Sequence, residues 1–202
     1  VLYELAVVLK KIYPNADIDY PDLSLKTSSK KKFKYVKFGN NVLIGKGVKL
    51  GKNCIIGSNT IIEQNVRIGN KCIIGSNVIL KNSIIGSNVM IQDNSKIGQK
   101  GFGFIPKKNN NIKFPHIGKV IIEDNVEIGS GCTIDRGSVD DTCIGKNTYL
   151  DNQVHIAHNV VIGSGTAIAG NSAIAGSTKI GKNCTLAGCS AIVDNIEIAD
   201  EV

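Results

Sequence analysis

The sequence predicts a parallel β-helix built from hexapeptide repeats, on three observations. An aliphatic or aromatic residue recurs every six positions along residues 38–80. The same period resumes along residues 85–97, 122–134 and 144–198. Within each unit the second residue is usually Gly and the fourth is very often Asn. A fixed short period held over such a length is the signature of a stacked solenoid.

Each hexapeptide is expected to supply a short strand and then a corner. The first residue points inward and the fifth is small or β-branched, whereas Asn and Gly tolerate the left-handed backbone that a tight corner demands. Three such sides form a coil of 18 residues, and coils stack at about 4.8 Å through parallel ladders. The corner asparagines include Asn53, Asn59, Asn65, Asn77, Asn88, Asn125, Asn147 and Asn183.

Two segments lack the repeat and divide the chain. Residues 1–35 contain no hexapeptide, and residues 101–119 are expected to loop out of a β-helix that spans residues 36–202. Long loops inside compact repeats tend to be functional, although a tolerated insertion explains this one equally well. Four further residues are added between Ile134 and Ile144. A short amphipathic helix is predicted from helically spaced apolar residues, namely Leu2, Leu5, Val8 and Leu9.

Charge and hydropathy limit the partners. The formal net charge is +7, and a basic run suggests either an acidic partner or a solvated face. No nucleic-acid motif accompanies the run, and no apolar stretch approaches the roughly 20 residues that span a bilayer. The chain begins with Val1 and ends inside a repeat, so we expect a fragment. The basic run consists of Lys30, Lys31, Lys32, Lys34 and Lys37.

The cysteines fit the repeat better than a disulfide or zinc framework. No CxxC occurs, and four of the six cysteines occupy the fifth hexad position, where other hexads place Val, Thr or Ser. We therefore expect reduced core thiols in a cytoplasmic, reducing compartment. These four are Cys54, Cys72, Cys132 and Cys184.

Three residues could perform chemistry together. His158, in the stretch DNQVHIAHN, is expected to point outward at a corner, where an imidazole can act as a base. Asp151 could orient His158 or simply be solvated. Gly176 follows His158 by one coil of 18 residues, so its N–H could face a developing oxyanion. From position alone, His158 could equally be an exposed histidine with no role.

The stretch TIDRGSVDDTCIG…YLDNQVHIAHNVVIGSGTAIAG…AGSTKIG resembles the UDP-3-O-(3-hydroxyacyl)glucosamine N-acyltransferases of lipid A biosynthesis, as does GFGF followed by PHIGKVIIEDNVEIG. The resemblance covers residues 36–202 and implies a left-handed β-helix, which physical reasoning alone does not give. It also implies transfer of a 3-hydroxyacyl chain from acyl carrier protein to a UDP-sugar amine, with no cofactor and no metal. The family's base, dyad aspartate and oxyanion donor match His158, Asp151 and Gly176.

The resemblance also marks binding residues and departures. We expect substrate contacts at His155, Asn195, Phe102 and Phe104. Asn195 stands where the family carries a second active-site histidine, which is a departure from the family's pattern. Residues 1–20 resemble only the last helix of the family's N-terminal uridine-binding domain, so residues 1–35 are expected to be a remnant helix and linker.

Three alternatives remain open. The first is the sister O-acyltransferase that acts on UDP-N-acetylglucosamine and shares a similar His-Ile-Ala-His stretch. The second is a zinc carbonic anhydrase on a trimeric β-helix, which needs three histidine ligands that converge across a subunit interface; the chain's three histidines are His116, His155 and His158. The third is a non-catalytic trimeric scaffold. A homotrimer is expected in each case, because a single prism has no cleft and three packed prisms create clefts between them.

Overall fold

The computed structural model describes residues 1–27 and 33–202. One α-helix, α1 (Leu2–Ile12), precedes the strands of this described part. The strands are β1 (Lys26–Thr27), β2 (Val36–Phe38), β3 (Leu43–Ile44), β4 (Lys49–Leu50), β5 (Cys54–Ile56), β6 (Ile61–Ile62), β7 (Arg67–Ile68), β8 (Ile73–Ile74), β9 (Ile79–Leu80), β10 (Ser83–Ile85), β11 (Met90–Ile91), β12 (Lys96–Lys100), β13 (Phe104–Ile105), β14 (Ile112–Lys113), β15 (Val120–Ile122), β16 (Glu127–Ile128), β17 (Thr133–Arg136), β18 (Thr142–Ile144), β19 (Tyr149–Leu150), β20 (His155–Ile156), β21 (Val161–Ile162), β22 (Ala167–Ile168), β23 (Ala173–Ile174), β24 (Lys179–Ile180), β25 (Thr185–Leu186), β26 (Ala191–Ile192) and β27 (Glu197–Ile198).

The strands form three long sheets that run along the sides of a prism. Sequence order within the sheets is β1-β3-β6-β9-β12-β17-β20-β23-β26, β4-β7-β10-β15-β18-β21-β24-β27 and β2-β5-β8-β11-β16-β19-β22-β25. Apart from the antiparallel β1, neighbours pair in parallel, and most coils join residues 18 positions apart, as Ile62 joins Leu80. One coil is a residue shorter, so that Arg67 pairs with Ile84. The predicted parallel β-helix is therefore confirmed from Val36 onward, whereas its left-handedness stays a prediction.

The core and corners follow the hexapeptide pattern. First-position residues such as Ile56 and Ile62 and fifth-position residues such as Val42 are fully buried. The predicted corner asparagines all have positive φ, from 54° at Asn183 to 62° at Asn65. Asn is the residue other than Gly that adopts this conformation most readily, so the repeat encodes the corners directly.

Four of the six cysteines are free thiols inside this core, as their fifth hexad position predicts. Cys54 and Cys72 are fully buried, and the Cys72 carbonyl accepts a hydrogen bond from the Ile55 amide across the ladder. No cysteine of the described chain is in a disulfide. The prediction of stacked, reduced core cysteines is confirmed for this pair.

The N-terminal segment packs against the β-helix rather than trailing from it. The predicted helix is present, and it buries Ala6 and Leu9. β1 adds to the end of one sheet antiparallel to β3, which the hexapeptide pattern did not predict. Of the basic run, Lys34 and Lys37 are exposed, while Lys30–Lys32 lie outside the described residues. No helix of the described chain is long and apolar enough to cross a bilayer.

Two insertions interrupt the coils on the same side of the prism. Residues 101–119 leave the helix as predicted and fold back as an antiparallel hairpin of β13 and β14. Because of this hairpin, Ser83 pairs with Val120. The four added residues lie in the turn between β17 and β18, so Thr133 pairs with His155, 22 positions away. Both insertions therefore meet above β12 and β17, the longest strands of the described chain.

Candidate active site

A cleft of about 530 Å³ opens beside the two insertions. Most of its wall is small and apolar, and the polar groups are concentrated at one end. The apolar lining comprises Ala157, Ala173, Ile174, Ala175, Gly176, Ala191, Ile192 and Val193. The remaining lining residues are Phe102, Asp135, His155, His158 and Asp194.

His158 lines this cleft at a corner, as its hexad position predicts. The imidazole is half-buried, and its Nδ1 lies 2.9 Å from Asn159 Oδ1. A Cβ placed on Gly176 would lie 2.9 Å from Nε2 of the same ring. Gly176 is therefore the residue that leaves room for the imidazole, and the Nε2 edge is the one turned toward the next coil.

Gly176 itself is placed as predicted, one coil beyond His158. Its carbonyl accepts a hydrogen bond from the Asn195 amide at 3.1 Å. Its own N–H donates to no residue within the described chain. A free backbone N–H beside a base is the arrangement that a developing oxyanion requires.

His155 is a second imidazole on the same wall, outward-facing along β20. Its Nδ1 lies 2.7 Å from Thr133 Oγ1 on the neighbouring strand. Because both β-ladder neighbours, Thr133 and Ala173, also face outward, the ring is held against the strand. The substrate contact of His155 stays a prediction.

Asp151 makes no hydrogen bond to His158 within one chain, so the predicted dyad stays a prediction. Its carboxylate accepts hydrogen bonds from the amides of Asn152 (2.7 Å) and Gly170 (3.0 Å). It lines a separate groove of about 580 Å³, together with Tyr149. The physical reason is that Asp151 follows β19 and His158 follows β20, so a corner of the prism separates them. The polar partner of His158 is instead its chain neighbour, Asn159.

His116 is buried against His158, although it belongs to the ejected loop. The ring centroids are 5.1 Å apart at an interplanar angle of 73°, and the Phe114 carbonyl lies 3.1 Å from His116 Nδ1. Nε2 is buried without a hydrogen-bond partner in the described chain. Burial, followed by the charge of Lys100, lowers the pKa of His116 to about 3. His116 is therefore neutral wherever the protein is folded near neutral pH.

Asp135, which the repeat pattern did not single out, is a buried carboxyl on the cleft wall. It is 5% exposed and accepts a hydrogen bond from Gln99 Nε2 at 3.1 Å. Burial raises its pKa above the usual range, opposed by that hydrogen bond and by the two nearby histidines. Asp135 belongs to the TIDRG motif at the end of β17, where the pairing with β12 is irregular. That interruption of the repeat is the sequence signal that could have identified this residue.

Arg136, the next residue, points away from the cleft and anchors the N-terminal segment. Its guanidinium donates to Asp19 Oδ1 (2.6 Å) and to the His116 carbonyl (2.9 Å). Burial acts to raise the pKa of Asp19, but hydrogen bonds from Arg136 and from the Lys100 amide lower it on balance. The segment before the β-helix therefore braces the loop that carries His116.

The remaining predicted binding residues differ in placement. Phe102 is 84% exposed and lines the cleft, with the Phe104 ring in an edge contact at 5.1 Å. Asn195 is an exposed corner residue whose side chain donates to Asp194 Oδ2 at 2.7 Å. Its substrate contact stays a prediction.

No three His, Cys, Asp or Glu side chains converge into a metal-binding group in the described part of the chain. His116 and His158 are adjacent, but His155 is turned to Thr133. These three histidines therefore form no zinc site within one chain; a site across a subunit interface, which the carbonic anhydrase alternative requires, is not tested by a single chain.

Family comparisons agree with the repeat architecture. Residues 141–176 match the bacterial transferase hexapeptide (six repeats), and residues 119–139 match the hexapeptide repeat of succinyl-transferase. Residues 38–101 match the GMPPB C-terminal domain. These matches identify hexapeptide repeats of the kind found in bacterial transferases in the coils after the hairpin.

Among solved structures, this hexapeptide-repeat chain is similar to UDP-N-acetylglucosamine O-acyltransferase (LpxA) from Moraxella catarrhalis RH4. The identity is 29% and the TM-score 0.72, over 80% of this chain and 62% of that one. It is also similar to Arabidopsis UDP-N-acetylglucosamine acyltransferase, at 25% identity and a TM-score of 0.50, over 83% and 65%. The chain thus spans less than two thirds of the length of either relative.

Proposed function

We propose that this chain transfers an acyl group from acyl carrier protein to a UDP-linked glucosamine derivative, with His158 as general base. The observation that carries the proposal is the placement of His158. Its ring stands on the wall of an apolar cleft, with Nδ1 engaged by Asn159. The Nε2 edge lies beside Gly176, whose N–H donates to no residue of the described chain.

The reaction needs few groups. The acceptor's nucleophilic atom attacks the thioester carbonyl while His158 Nε2 removes its proton, and the Gly176 N–H donates to the oxyanion. Collapse of the tetrahedral intermediate breaks the C–S bond, and the imidazolium returns the proton to the departing thiolate. Positioned base catalysis contributes about 10²–10⁴-fold, and an oxyanion donor contributes about 10²–10³-fold.

The cleft suits a hydrocarbon chain beyond the reacting carbonyl. Alanines from consecutive coils, including Ala157, Ala175 and Ala191, leave an open groove along the prism. The exposed Phe102 and the Phe104 ring beside it offer apolar surface on the loop at the cleft. Burying a methylene there contributes about 0.8 kcal/mol.

The acceptor atom has two candidates. The TIDRG and DNQVHIAHN motifs favour the amine of a UDP-3-O-acylglucosamine and hence an amide. The similarity to UDP-N-acetylglucosamine O-acyltransferase supports a hydroxyl acceptor and an ester better than it supports an amide. His158 serves either acceptor in the same way, so the reaction class does not depend on this choice.

Mass spectrometry of acyl transfer separates the two. Full-length protein is incubated with 3-hydroxyacyl-acyl carrier protein and, in parallel, with UDP-N-acetylglucosamine or UDP-3-O-acylglucosamine. Mild alkali removes an ester and leaves an amide. If acyl product forms with only one of the two acceptors, that result identifies the acceptor atom as the hydroxyl oxygen or the amine nitrogen. If no acyl product forms with either acceptor, the proposed function is contradicted.

Asp151 acquires a role in this proposal only through a second copy of the chain. Its groove, lined by the half-exposed Tyr149, is open to solvent. Packing three prisms side by side brings one side of each against a different side of the next. Asp151 of one copy then faces the cleft of another and can stabilise the imidazolium of His158.

A further inference from the structure

The turn between β17 and β18, which contains the four added residues, contacts Asn159. Asn159 Oδ1 accepts hydrogen bonds from the amide (3.0 Å) and the hydroxyl (2.8 Å) of Ser138. Its Nδ2 donates to the Asp140 carbonyl at 3.1 Å. The Asn159 amide donates to Thr142 Oγ1 at 2.9 Å. Every polar group of this side chain is therefore engaged by the turn.

These contacts distinguish Asn159 from other corner asparagines. Several other corner side chains stack on the asparagine of the next coil, as Asn41 donates to Asn59 at 3.2 Å and Asn125 to Asn147 at 3.1 Å. Asn159 has the same backbone, with φ of 62°. Its side chain is turned instead to the inserted turn and to His158.

The contacts also fix which way the amide faces. A backbone carbonyl only accepts, so the nitrogen of Asn159 must face Asp140. A backbone N–H only donates, so the oxygen must face Ser138. The group opposite His158 Nδ1 is then an oxygen that can only accept. Nδ1 must carry the proton, and Nε2 is left with the lone pair that a general base needs.

We propose that Asn159, clamped by the inserted turn, is the positioning residue that sets the tautomer and orientation of His158. This inference rests on the proposed function for its catalytic meaning. The orienting group is a neutral amide from the same chain. It therefore holds the neutral imidazole without adding a negative charge to the cleft.

The turn that clamps Asn159 is itself fixed by the chain returning from the hairpin. The Ile117 amide donates to the Ser138 carbonyl at 2.7 Å, and the Gly118 amide donates to the Gly137 carbonyl at 3.1 Å. A Cβ on Gly137 would lie 1.7 Å from the Asp140 carbonyl oxygen, so only glycine permits the turn. The two insertions thus act together on His158.

The test uses ¹⁵N-histidine NMR and kinetics on the full-length protein. The chain has only three histidines, which single substitutions assign. We expect wild-type His158 to show protonated Nδ1 and unprotonated Nε2 above the pH where it titrates. Asn159→Ala should mix the two tautomers and lower kcat by about 10- to 100-fold, the usual effect of losing an orienting partner. KM should change little.

Asn159→Asp is the second variant, because it keeps the acceptor facing Ser138 but places a carboxylate beside His158. The acidic limb of the kcat/KM profile should move upward by about one pH unit or more. Asn183→Ala and Asn183→Asp are the matched controls, since Asn183 is a corner asparagine with φ of 54° that lies outside the cleft. These two controls measure how much kcat and stability change when a corner asparagine outside the cleft is replaced.

Two results would overturn the inference. One is a wild-type His158 with its proton on Nε2. The other is an Asn159→Ala variant whose tautomer and kcat match those of Asn183→Ala. The NMR measurement does not need turnover, so it decides the inference even if the protein transfers no acyl group. Conversely, an active enzyme in which His158 matters and Asn159 does not would refute the inference alone.

Discussion

At the scale of single residues, the hexapeptide period predicts whether a side chain points into the core or outward, but it does not predict which neighbouring groups that side chain contacts. It placed His158 outward at a corner and Gly176 one coil beyond it, and the structure confirms both positions. The family resemblance implies that Asp151 pairs with His158, whereas within one chain the Asp151 carboxylate accepts hydrogen bonds from the Asn152 and Gly170 amides. Asn159 was counted as one more corner residue, because its distinguishing contacts come from an insertion that breaks the period.

Replacing His158 tests the proposed base. His158→Ala should lower kcat by about 10²–10⁴-fold with near-normal melting, because a half-buried corner side chain contributes little packing. His155→Ala should have a much smaller effect, since His155 is held by Thr133. Steady-state kinetics and thermal melts measure both. Equal losses for the two variants, or retained activity in His158→Ala, would show that the base is misassigned.

Gly176→Ala tests the space that the imidazole occupies. The added methyl would lie 2.8 Å from Cε1 and 2.9 Å from Nε2 of His158. The contact is with the far end of a side chain, so the ring moves and the coil is preserved. We expect kcat to fall by at least tenfold with a small change in melting temperature. The matched control is Gly188→Ala, whose Cβ would meet nothing closer than 3.3 Å; equal kinetic effects would contradict the assignment.

His116 should make stability depend on pH. Its pKa is about 3 when folded and roughly 6.5 when unfolded, so only the unfolded chain gains this proton between those values. Stability is therefore full above about pH 6.5 and falls as the pH drops, by up to about 1.4 kcal/mol per unit. His116→Gln removes this slope. Urea titrations at pH 7 and pH 5 should show the smaller pH effect in the variant; parallel slopes would refute the buried, neutral state.

At the scale of elements, strands and corners were predictable and the insertions were predictable only in position. Each β-helix strand has its own hydrophobic signal at fixed spacing, so the β-helix is determined locally. The hairpin of β13 and β14, the added strand β1 and the docking of residues 13–27 have no such period. They depend on single long-range contacts, such as that of Asp19 with Arg136. No local sequence pattern predicts such contacts.

Asp19→Asn tests how the N-terminal segment is attached. Arg136 is buried, and losing its carboxylate leaves an unpaired buried charge, which costs about 3–5 kcal/mol when a buried pair is broken and less here because Asp19 is partly exposed. We expect faster limited proteolysis before residue 26 and a lower melting temperature. Asp22→Asn is the control, because the hydrogen bonds of Asp22 are with the nearby Ser24. Equal protease resistance in both variants would argue against the anchor.

The same contact gives the attachment a pH dependence. Because hydrogen bonds hold the pKa of Asp19 below its usual value, the stabilisation is present above the unfolded pKa of about 3.9 and is lost as the pH falls further. Protection of the segment from proteolysis by an acid-active protease should therefore decrease below about pH 4 in wild type. The Asp19→Asn variant should show no such change.

At the scale of the whole molecule, one side of the prism exposes large apolar side chains. Ile55 and Ile73 project from the neighbouring strands β5 and β8, and Tyr149 projects from β19 farther along the same sheet, each more than 40% exposed. We expect three copies to bury these sides around a common axis. Sedimentation equilibrium of the full-length protein should give three times the chain mass, and Ile73→Lys should lower it while the monomer stays folded. A monomer at high concentration would contradict the shared cleft.

The spacing of the ladder also determines how the chain folds. Most pairings join residues 18 positions apart, as Ile61 joins Ile79, so coils can nucleate separately and extend by zippering. One coil must instead close the 37-position loop from Ser83 to Val120. Doubling a loop adds only about 0.6 kcal/mol of closure entropy, so the hairpin delays that junction slightly without preventing it. The two halves of the solenoid should therefore nucleate independently and join last across the coil that carries the inserted loop.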